Sequence, residues 1–530
     1  MVHKVIGGRI YDGSGEEPFQ GTITIENGKI ARITRGKEAA QPGDLDATGL
    51  IVTPGFVDIH RHHDMAVLYD PAFGELELAQ GITTAVSGNC GLAPVPSSPE
   101  HQAEQLAYIE PCLGKMPENV KMYRFSEYMQ RLSKSALALN TASLIGAGAV
   151  EAAVMGYESR GFTPAEREKA IELIQDGMRS GALGLSFGIM YHPECFLPKE
   201  DLVAMARACG QEGGMVSCHI RGEGNSLVAS VREIIEICQE AQVPLNISHF
   251  KVTGVDNWGK TIAGAIAVIE NARAAGQVVT VDVYPYTGGA TTAMSLVPPC
   301  VTEGRPLSYL GTSEGAAALR REIYREQPGW DNMVKSIGWE RTIIGSVTLE
   351  KNRIYCGKSV AQIAAELGLS DPCAWLGELI AEEEGKVGCI IMSMSQDDVD
   401  TVMRLPYAAV ISDSLYGGGD SPHPRLYGSF PKILREYVKE RGVLTLPEAI
   451  RKMTSMPAER VGLTDRGYLK EGYAADINIF DPEQICDKAT FTHPKQLAQG
   501  IAYTLIGGEV AARDSALQAG RYGRLLTRKS

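Results

Sequence analysis

Over most of its length the chain alternates between short apolar runs and longer segments with helical periodicity. Thr163 and Glu166, like Thr445 and Glu448, have the spacing of a capping box at the start of such a segment. Strands that alternate with helices predict a parallel sheet, and eight strands predict an α/β fold of the TIM-like (β/α)8 barrel type. On pattern alone, an open doubly wound sheet is the alternative. The eight β-prone runs lie at residues 55–60, 83–90, 142–147, 182–188, 215–220, 245–250, 278–284 and 408–413.

The two ends of the chain have a different pattern, in which short β-prone runs are joined by turn residues. The pair Asn27 and Gly28 between two such runs predicts a β-hairpin. Further runs of this kind lie at 474–480 and 502–510. Because neither end could bury a sheet face alone, we expect one small β-sandwich domain built from residues 1–54 and 466–530.

The barrel is then expected to occupy residues 55–465. The interval between its seventh and eighth runs is far longer than a normal connection. It predicts an insertion around residues 287–345, placed to act as a lid over a site.

Composition and charge narrow the class of protein. Of the 530 residues, 44% are apolar and 22% are charged, which is enough to build a globular core. The net charge of -13 disfavours nucleic acid and anionic membranes as partners, so a small-molecule substrate is expected. The N-terminus lacks a secretory signal, and the 11 cysteines have no regular spacing, so we expect a cytoplasmic protein with free thiols. Nothing in the sequence predicts an oligomeric state.

Histidines follow the first β-prone run. Side chains alternate faces along a strand, so His60 and His62 point the same way and can bind one metal ion. A single histidine is more often a core or surface residue. Two of them at this spacing, at the end of an apolar strand, indicate a metal site.

Further potential ligands end other runs of the predicted barrel. Cys90 ends the second run, His219 the fifth and His249 the sixth, so all three are expected at the carboxyl-terminal mouth of a barrel. Cys90 alone would fit a small buried thiol equally well, but its position between glycines at a strand end favours a ligand.

Asp413 closes the eighth run. A carboxylate there would lie beside the metal and could take a proton from water and pass it to a leaving amine. The local sequence alone fits a helix N-cap or a turn. The presence of the other strand-end residues favours the catalytic interpretation.

In this order on strands 1, 2, 5, 6 and 8, these residues resemble the metal-site pattern of the amidohydrolase superfamily. More narrowly, the segments 88–91, 248–251, 282–286 and 423–428 resemble the D-aminoacylase, or N-acyl-D-amino-acid deacylase, family. The resemblance spans nearly the whole chain. It implies a distorted barrel with a small β-sandwich, and zinc-dependent hydrolysis of the amide between an acyl group and a D-amino acid.

The resemblance also implies roles for individual residues. One zinc ion would be tightly bound by Cys90, His219 and His249. A second, weaker position would be surrounded by His60, His62 and Asp413. Asp413 would act as general base and acid, and the Tyr284 hydroxyl would stabilise the oxyanion. The candidates for binding the substrate carboxylate are Lys251, Arg425, Tyr191 and Arg221.

Two other functions are open at this point. One is a cyclic amidase similar to dihydroorotase or dihydropyrimidinase, but relatives of that kind have a carboxylated lysine at the end of strand 4. The segment 185–191 has no lysine, and Cys90 also argues against it. The other is a non-catalytic assembly protein on the same fold, which is expected to have lost metal ligands that this chain keeps.

Overall fold

The computed structural model describes residues 2–117, 120–325, 327, 330–417, 419 and 421–528. The predicted ranges also include residues 1, 118, 119, 326, 328, 329, 418, 420, 529 and 530, which lie outside the described part. The strands are β1 (Lys4–Ile10), β2 (Phe19–Glu26), β3 (Lys29–Arg35), β4 (Leu45–Asp46), β5 (Ile51–Pro54), β6 (Phe56–Asp58), β7 (Arg61–His62), β8 (Ile82–Ser87), β9 (Asn140–Ser143), β10 (Ile145–Gly146), β11 (Gly184–Gly188), β12 (Met215–His219), β13 (Leu245–Ile247), β14 (Val279–Val283), β15 (Gly289–Thr292), β16 (Thr342–Ser346), β17 (Gly388–Ile391), β18 (Ala408–Val410), β19 (Ser414–Leu415), β20 (Ile477–Phe480), β21 (Ile501–Ile506), β22 (Glu509–Arg513) and β23 (Ala516–Leu517).

The α-helices are α1 (Ala66–Tyr69), α2 (Glu75–Ala79), α3 (Gln102–Leu113), α4 (Phe125–Lys134), α5 (Ala147–Met155), α6 (Pro164–Arg179), α7 (Lys199–Gln211), α8 (Leu227–Ala241), α9 (Ile262–Ala274), α10 (Pro299–Thr302), α11 (Ser313–Glu322), α12 (Met333–Ile337), α13 (Val360–Glu366), α14 (Cys373–Glu382), α15 (Gln396–Arg404), α16 (Arg425–Lys432), α17 (Leu446–Met453) and α18 (Ser455–Arg460). A π-helix continues α16 (Ile433–Glu440), and short 3₁₀ helices lie at Glu194–Phe196, Val255–Asn257, Ala293–Leu296, Leu307–Gly311, Trp339–Arg341 and Glu350–Tyr355.

Parallel strands form the centre of the molecule. One sheet has the order β6-β8-β9 and a second has the order β10-β11-β12-β13-β14-β18, and β9 and β10 are separated by one residue. The pairing of β19 with β7, in which Ser414 lies opposite Arg61, joins the last barrel strand to the first. The ring is therefore closed, which confirms the predicted (β/α)8 barrel and excludes the open sheet.

The barrel strands form where the sequence predicts them because they are apolar and covered by helices. Every residue of β8, β11 and β12 is buried, as is usual for parallel strands with helices on the outside. The predicted capping boxes are confirmed. Thr163 caps α6 and Thr445 caps α17, and each threonine hydroxyl accepts the N–H of the glutamate three residues on.

Strands from both ends of the chain share one nine-stranded sheet. Its order is β23-β22-β21-β20-β5-β1-β2-β3, with β4 paired to β1. The antiparallel pair of β5 with β20 joins the N-terminal and C-terminal parts. The predicted hairpin is confirmed between β2 and β3, because Asn27 (φ 51°) and Gly28 (φ 76°) both have the left-handed backbone that a tight turn of this kind requires.

The long interval after β14 folds as a unit with its own core. Strands β15, β17 and β16 form an antiparallel sheet with β17 in the middle. The apolar cluster of this unit includes Leu296, Leu310, Ile344 and Leu376. The unit continues to the end of β17 at Ile391 rather than stopping near residue 345, because its middle strand comes last in the sequence.

No helix among the described residues is long and apolar enough to cross a membrane. All eleven cysteines are free thiols, as expected from their irregular spacing.

Candidate metal centre

The predicted ligands lie together at the carboxyl ends of the barrel strands. His60 follows β6, Cys90 follows β8, His219 ends β12, His249 follows β13 and Asp413 follows β18. Each of these residues is at most 6% exposed. Residues that are far apart in sequence meet here because parallel strands present their carboxyl ends at one mouth of the barrel.

Cys90 is shared between two groups of donor atoms. His60, His62 and Cys90 have ligand atoms within 4.8 Å of one another, and so do Cys90, His219 and His249. The Cys90 Sγ lies 3.2 Å from His60 Nε2 and 3.5 Å from His249 Nε2. Thiolate and imidazole donors of this kind suit zinc. The arrangement fits two neighbouring metal positions with the sulfur between them, whereas the sequence assigned Cys90 to one position alone.

Asp413 lies beside the group formed by His60, His62 and Cys90. Its Oδ1 lies 3.4 Å from His62 Nε2 and 3.5 Å from His60 Nε2, while its Oδ2 lies 2.8 Å from Arg425 Nη1. Burial alone would raise the pKa of Asp413, but Arg425, His62 and His60 outweigh it and hold that pKa well below the ordinary value. Asp413 is therefore a carboxylate at neutral pH, which is the form able to accept a proton or bind a cation.

Burial dominates the protonation of four other donors, whereas at His60 burial lowers the pKa but Asp282 and Asp413 outweigh it and raise it. Desolvation lowers the pKa of His62, His219 and His249, so these rings are neutral, as metal ligands must be. Desolvation also raises the pKa of the Cys90 thiol well above its usual value. A bound dication would supply the charge that makes this sulfur a thiolate. The donor set therefore fits a zinc ion better than it fits a metal-free polar core.

Three of the predicted ligands have a strained backbone. Cys90 (φ 55°), His249 (φ 35°) and Asp413 (φ 51°) all have positive φ, which L-residues rarely adopt. Such conformations cost roughly 1–3 kcal/mol each and cluster at functional sites. The loop around Cys90 is also tightly packed, because a Cβ added to Gly91 would lie 1.8 Å from the Glu194 carboxylate. The fold thus uses backbone strain to direct these side chains toward one point.

Two buried carboxylates that the sequence did not predict support the histidines. Glu223 lies 3.1 Å from His249 Nδ1, while the other ring nitrogen faces Cys90. Asp282 accepts the His249 backbone N–H at 2.5 Å and lies 3.8 Å from His60 Nδ1. A carboxylate behind a metal-binding histidine fixes the orientation and tautomer of the ring. Asp282 is the penultimate residue of β14, so its place near the strand end was the available signal, whereas Glu223 lies in a loop without one.

Four of the five remaining predicted residues lie beside this centre. The Tyr191 hydroxyl lies 3.3 Å from His219 Nδ1. Tyr284 is buried, with Arg425 4.8 Å and Lys251 5.9 Å from its ring centre. Burial raises the pKa of Tyr284, so its hydroxyl keeps the proton and remains a donor. Lys251 Nζ lies 2.5 Å from Glu223 and 2.7 Å from His249 Nδ1.

The predicted substrate contact of Arg221 is not supported by its position. Its guanidinium pairs with Glu233 on α8 at 3.0 Å and donates to the backbone carbonyls of Ile189 and Cys195. Through these bonds the guanidinium holds the loop after β11 against the barrel. Arg221 follows His219 by two residues, and this spacing suggested that its side chain points into the site. In the structure its guanidinium pairs with Glu233 instead.

The inserted unit reaches the same mouth of the barrel. A Cβ added to Gly289, at the start of β15, would lie 3.4 Å from the Tyr284 hydroxyl. Met190 packs against the core of the insertion, and its sulfur lies 3.2 Å from His219 Nε2. The insertion therefore lies next to the candidate metal centre and not at a remote part of the surface.

The chain is similar to known proteins over nearly its whole length. The amidohydrolase family matches residues 45–263 and 397–512. The D-aminoacylase of Alcaligenes xylosoxydans xylosoxydans is 30% identical over 98% of this chain and 96% of its own, and the N-acyl-D-glutamate deacylase of the same organism is 32% identical with the same coverage. The solved structure of N-acyl-D-glutamate deacylase from Bordetella bronchiseptica, complexed with zinc and a phosphonate inhibitor, is 30% identical, covers 99% of both chains and has a TM-score of 0.84. The chain with the shared cysteine at its barrel mouth belongs to the amidohydrolase family.

Proposed function

We propose that this protein is a zinc-dependent deacylase that hydrolyses the amide bond of N-acyl-D-amino acids and releases a carboxylate and a D-amino acid. The observation that carries the proposal is the position of Cys90 between two groups of buried histidines, with Asp413 beside it. The similarity of nearly the whole chain to D-amino-acid deacylases supports the substrate class.

The donor set supports two metal positions. Cys90, His219 and His249 are proposed to hold the tightly bound zinc, and Cys90 is also proposed to contribute to a weaker position formed by His60, His62 and Asp413. Zinc bound there would polarise the amide carbonyl and lower the pKa of water from ~15.7 toward ~7.

Asp413 is proposed to move the proton. Because its pKa is held low, the carboxylate is free to accept a proton from the attacking water. It then delivers that proton to the nitrogen of the departing amino acid as the amide bond breaks. The ion pair with Arg425 at 2.8 Å fixes the orientation of the carboxylate during both transfers.

Other side chains are proposed to bind the substrate. The protonated Tyr284 hydroxyl is suited to stabilise the oxyanion that develops on the amide oxygen. The α-carboxylate of the amino acid would bind Lys251 and Tyr191, with Arg425 supplying further positive charge. When His249 carries its proton on Nδ1 and donates it to Glu223, Lys251 loses that ring as an acceptor and its ammonium can turn to the substrate.

The two alternatives are less consistent with the site. Residues 185–191 have no lysine to bridge two metals, and the position of the Cys90 thiol between the two histidine groups supports a bridging role for the sulfur instead. A non-catalytic relative would have no reason to keep strained, buried metal donors together with Asp413.

A substrate panel tests the proposal. Purified protein is assayed with N-acetyl-D-amino acids, their L-enantiomers, dihydroorotate and hydantoins, each with and without added Zn²⁺. We expect zinc-stimulated turnover of D-substrates only. Turnover of the cyclic compounds alone would support the cyclic amidase, and the absence of zinc and of all turnover would support the non-catalytic role.

A further inference from the structure

A large cavity lies at the opposite end of the barrel from the candidate metal centre. Its volume is about 580 Å³, within the range of ligand sites for small molecules. It is lined by the first residues of β12 and β13, by Thr280 in β14 and by residues just before β11 and β18. The five residues of β12 span roughly 16 Å, so the cavity and the metal donors lie at different ends of the same strands.

Arginines dominate the charge of this cavity. Its lining includes Glu459 and four arginines, which are Arg273, Arg451, Arg460 and Arg528. Within the described part of the chain, no carboxylate lies within ion-pair distance of any of the four, and the Glu459 carboxylate accepts a hydrogen bond from Tyr468. In a protein with a net charge of -13, this local excess of unpaired positive charge stands apart from the rest of the molecule.

The guanidinium groups come from separate segments and have few hydrogen-bond partners. Arg460 Nη1 donates to Asn246 Oδ1 at 2.9 Å, which uses one of its five N–H groups. Arg273 donates to the Val279 carbonyl and stacks on Tyr407 at 4.3 Å. Arg528 packs over Gly213, and its buried Nη1 has no hydrogen-bond partner among the described residues. A buried donor without an acceptor is costly unless a ligand satisfies it.

The arginines also repel one another. Burial is the main cause that lowers the pKa of Arg460 to about 9; Arg273 and Arg451 act in the same direction, and Asp282 and Glu459 oppose them. Like charges gathered in a partly desolvated cavity destabilise the fold. An anion bound among them would remove both the repulsion and the missing hydrogen bonds.

We propose that this cavity is a binding site for a small, multiply charged oxyanion, either a phosphate ester or a polycarboxylate. The planar guanidinium fork matches the oxygen atoms of both groups. Apolar walls that include Met215, Leu245 and Val461 would contact the carbon part of such a molecule. The site is separate from the metal centre, so the proposal does not depend on the proposed deacylase activity.

Calorimetric titration of the zinc-loaded protein tests this site. Pyrophosphate and citrate are titrated separately at constant ionic strength, set with sodium chloride. We expect saturable one-to-one binding of at least one of them with a dissociation constant below about 1 mM, which corresponds to −4.1 kcal/mol. The tighter of the two identifies the ligand as a phosphate or as a polycarboxylate.

Arginine variants locate the binding. Arg528→Gln and Arg451→Gln, on different segments, should each weaken the dissociation constant at least tenfold, while Arg232→Gln, at an exposed position of α8 outside the cavity, should leave it unchanged. Two independent variants keep the test valid if one fails to fold. Absence of saturable binding, or binding that neither cavity variant weakens, would overturn the proposal, the latter because the anion would then lie elsewhere, for example at the zinc.

Discussion

At the scale of single residues, Cys90 is the side chain on which the candidate centre most depends. Among the described residues, its sulfur belongs to both groups of potential metal ligands, and its backbone is held in a left-handed conformation between Gly88 and Gly91. A residue without a thiol at this position would leave each group of donors with histidines and oxygen ligands only. The proposed affinity for zinc therefore rests on this sulfur.

Replacement of Asp413 tests the proton transfer. Asp413→Asn removes the base but keeps the shape of the side chain, so we expect the tightly bound zinc to remain and kcat to fall at least about 100-fold, the lower end of general acid-base contributions. Zinc content and steady-state kinetics are the measurements. Near-normal turnover would show that another group moves the proton.

Replacement of Glu223 tests the support of His249. Glu223→Gln should weaken zinc binding by roughly 10- to 100-fold, because the ring loses the carboxylate that orients it. The matched control is Glu240→Gln on α8, whose exposed carboxylate pairs only loosely with Lys199 at 3.7 Å. Zinc affinity is measured by competition with a chelator. Equal affinity in both variants would contradict the proposed role.

The sequence predicted the donor atoms better than their supports. The six proposed ligands lie at strand ends. Such positions can be predicted from the sequence because strand alternation and barrel topology determine where each strand ends. Glu223 and the sharing of Cys90 were not predicted, since both depend on loop conformations with no local signal. The ion pair of Arg221 was not predicted either, because its partner Glu233 lies twelve residues away on a helix face that the sequence did not place.

At the scale of elements, helix α5 carries a buried carboxyl group with an unusual environment. Glu151 is fully buried, neither of its oxygens has a hydrogen-bond partner in the described part of the chain, and burial, with Glu194 nearby, raises its pKa from 4.5 to about 10. Between these values the folded protein holds a proton that the unfolded chain has released. Stability from this group is therefore present below about pH 4.5 and is lost as pH rises toward 10.

Glu151→Gln tests this pH dependence. The amide cannot ionise, so the variant should gain stability relative to the wild type as pH rises from 5 to 8, at up to about 1.4 kcal/mol per pH unit. Thermal melting across this pH range is the measurement. Glu168→Gln, at an exposed position of α6, is the control and should follow the wild type. A constant difference between variant and wild type at all pH values would contradict the assignment.

Elements encoded by local signals were predicted, and those that depend on distant pairing were not. The capping boxes of α6 and α17 and the turn at Asn27 act over a few residues, and all three are confirmed. The inserted unit ends later than expected because β17 pairs with β15 and β16, which lie about 40 to 100 residues earlier in the chain. Such a pairing leaves no mark on the local hydrophobic pattern.

At the scale of the whole molecule, the proposed zinc ligands connect five strands of the barrel. The donors follow or end β6, β8, β12, β13 and β18, which are spread over more than 350 residues of chain. A metal bound to the folded state alone would hold these strand ends together and stabilise the protein.

Metal removal tests this connection. Chelation should lower the melting temperature, and added Zn²⁺ should restore it, with a stabilisation of about 2.7 kcal/mol when free zinc is 100 times its dissociation constant. Mg²⁺ should not restore it, because a thiolate with imidazoles does not suit that ion. Differential scanning calorimetry measures both effects. A melting temperature that is insensitive to chelation in zinc-containing protein would contradict the structural role of the ion.

Cys90 is proposed to bind zinc between the two histidine groups. X-ray absorption spectroscopy at the zinc edge of the purified protein measures this directly. We expect a sulfur scatterer at about 2.3 Å together with nitrogen scatterers at about 2.0–2.1 Å, and loss of the sulfur scatterer in Cys90→Ser. A zinc shell made only of nitrogen and oxygen in the unmodified protein would show that Cys90 is not a zinc ligand.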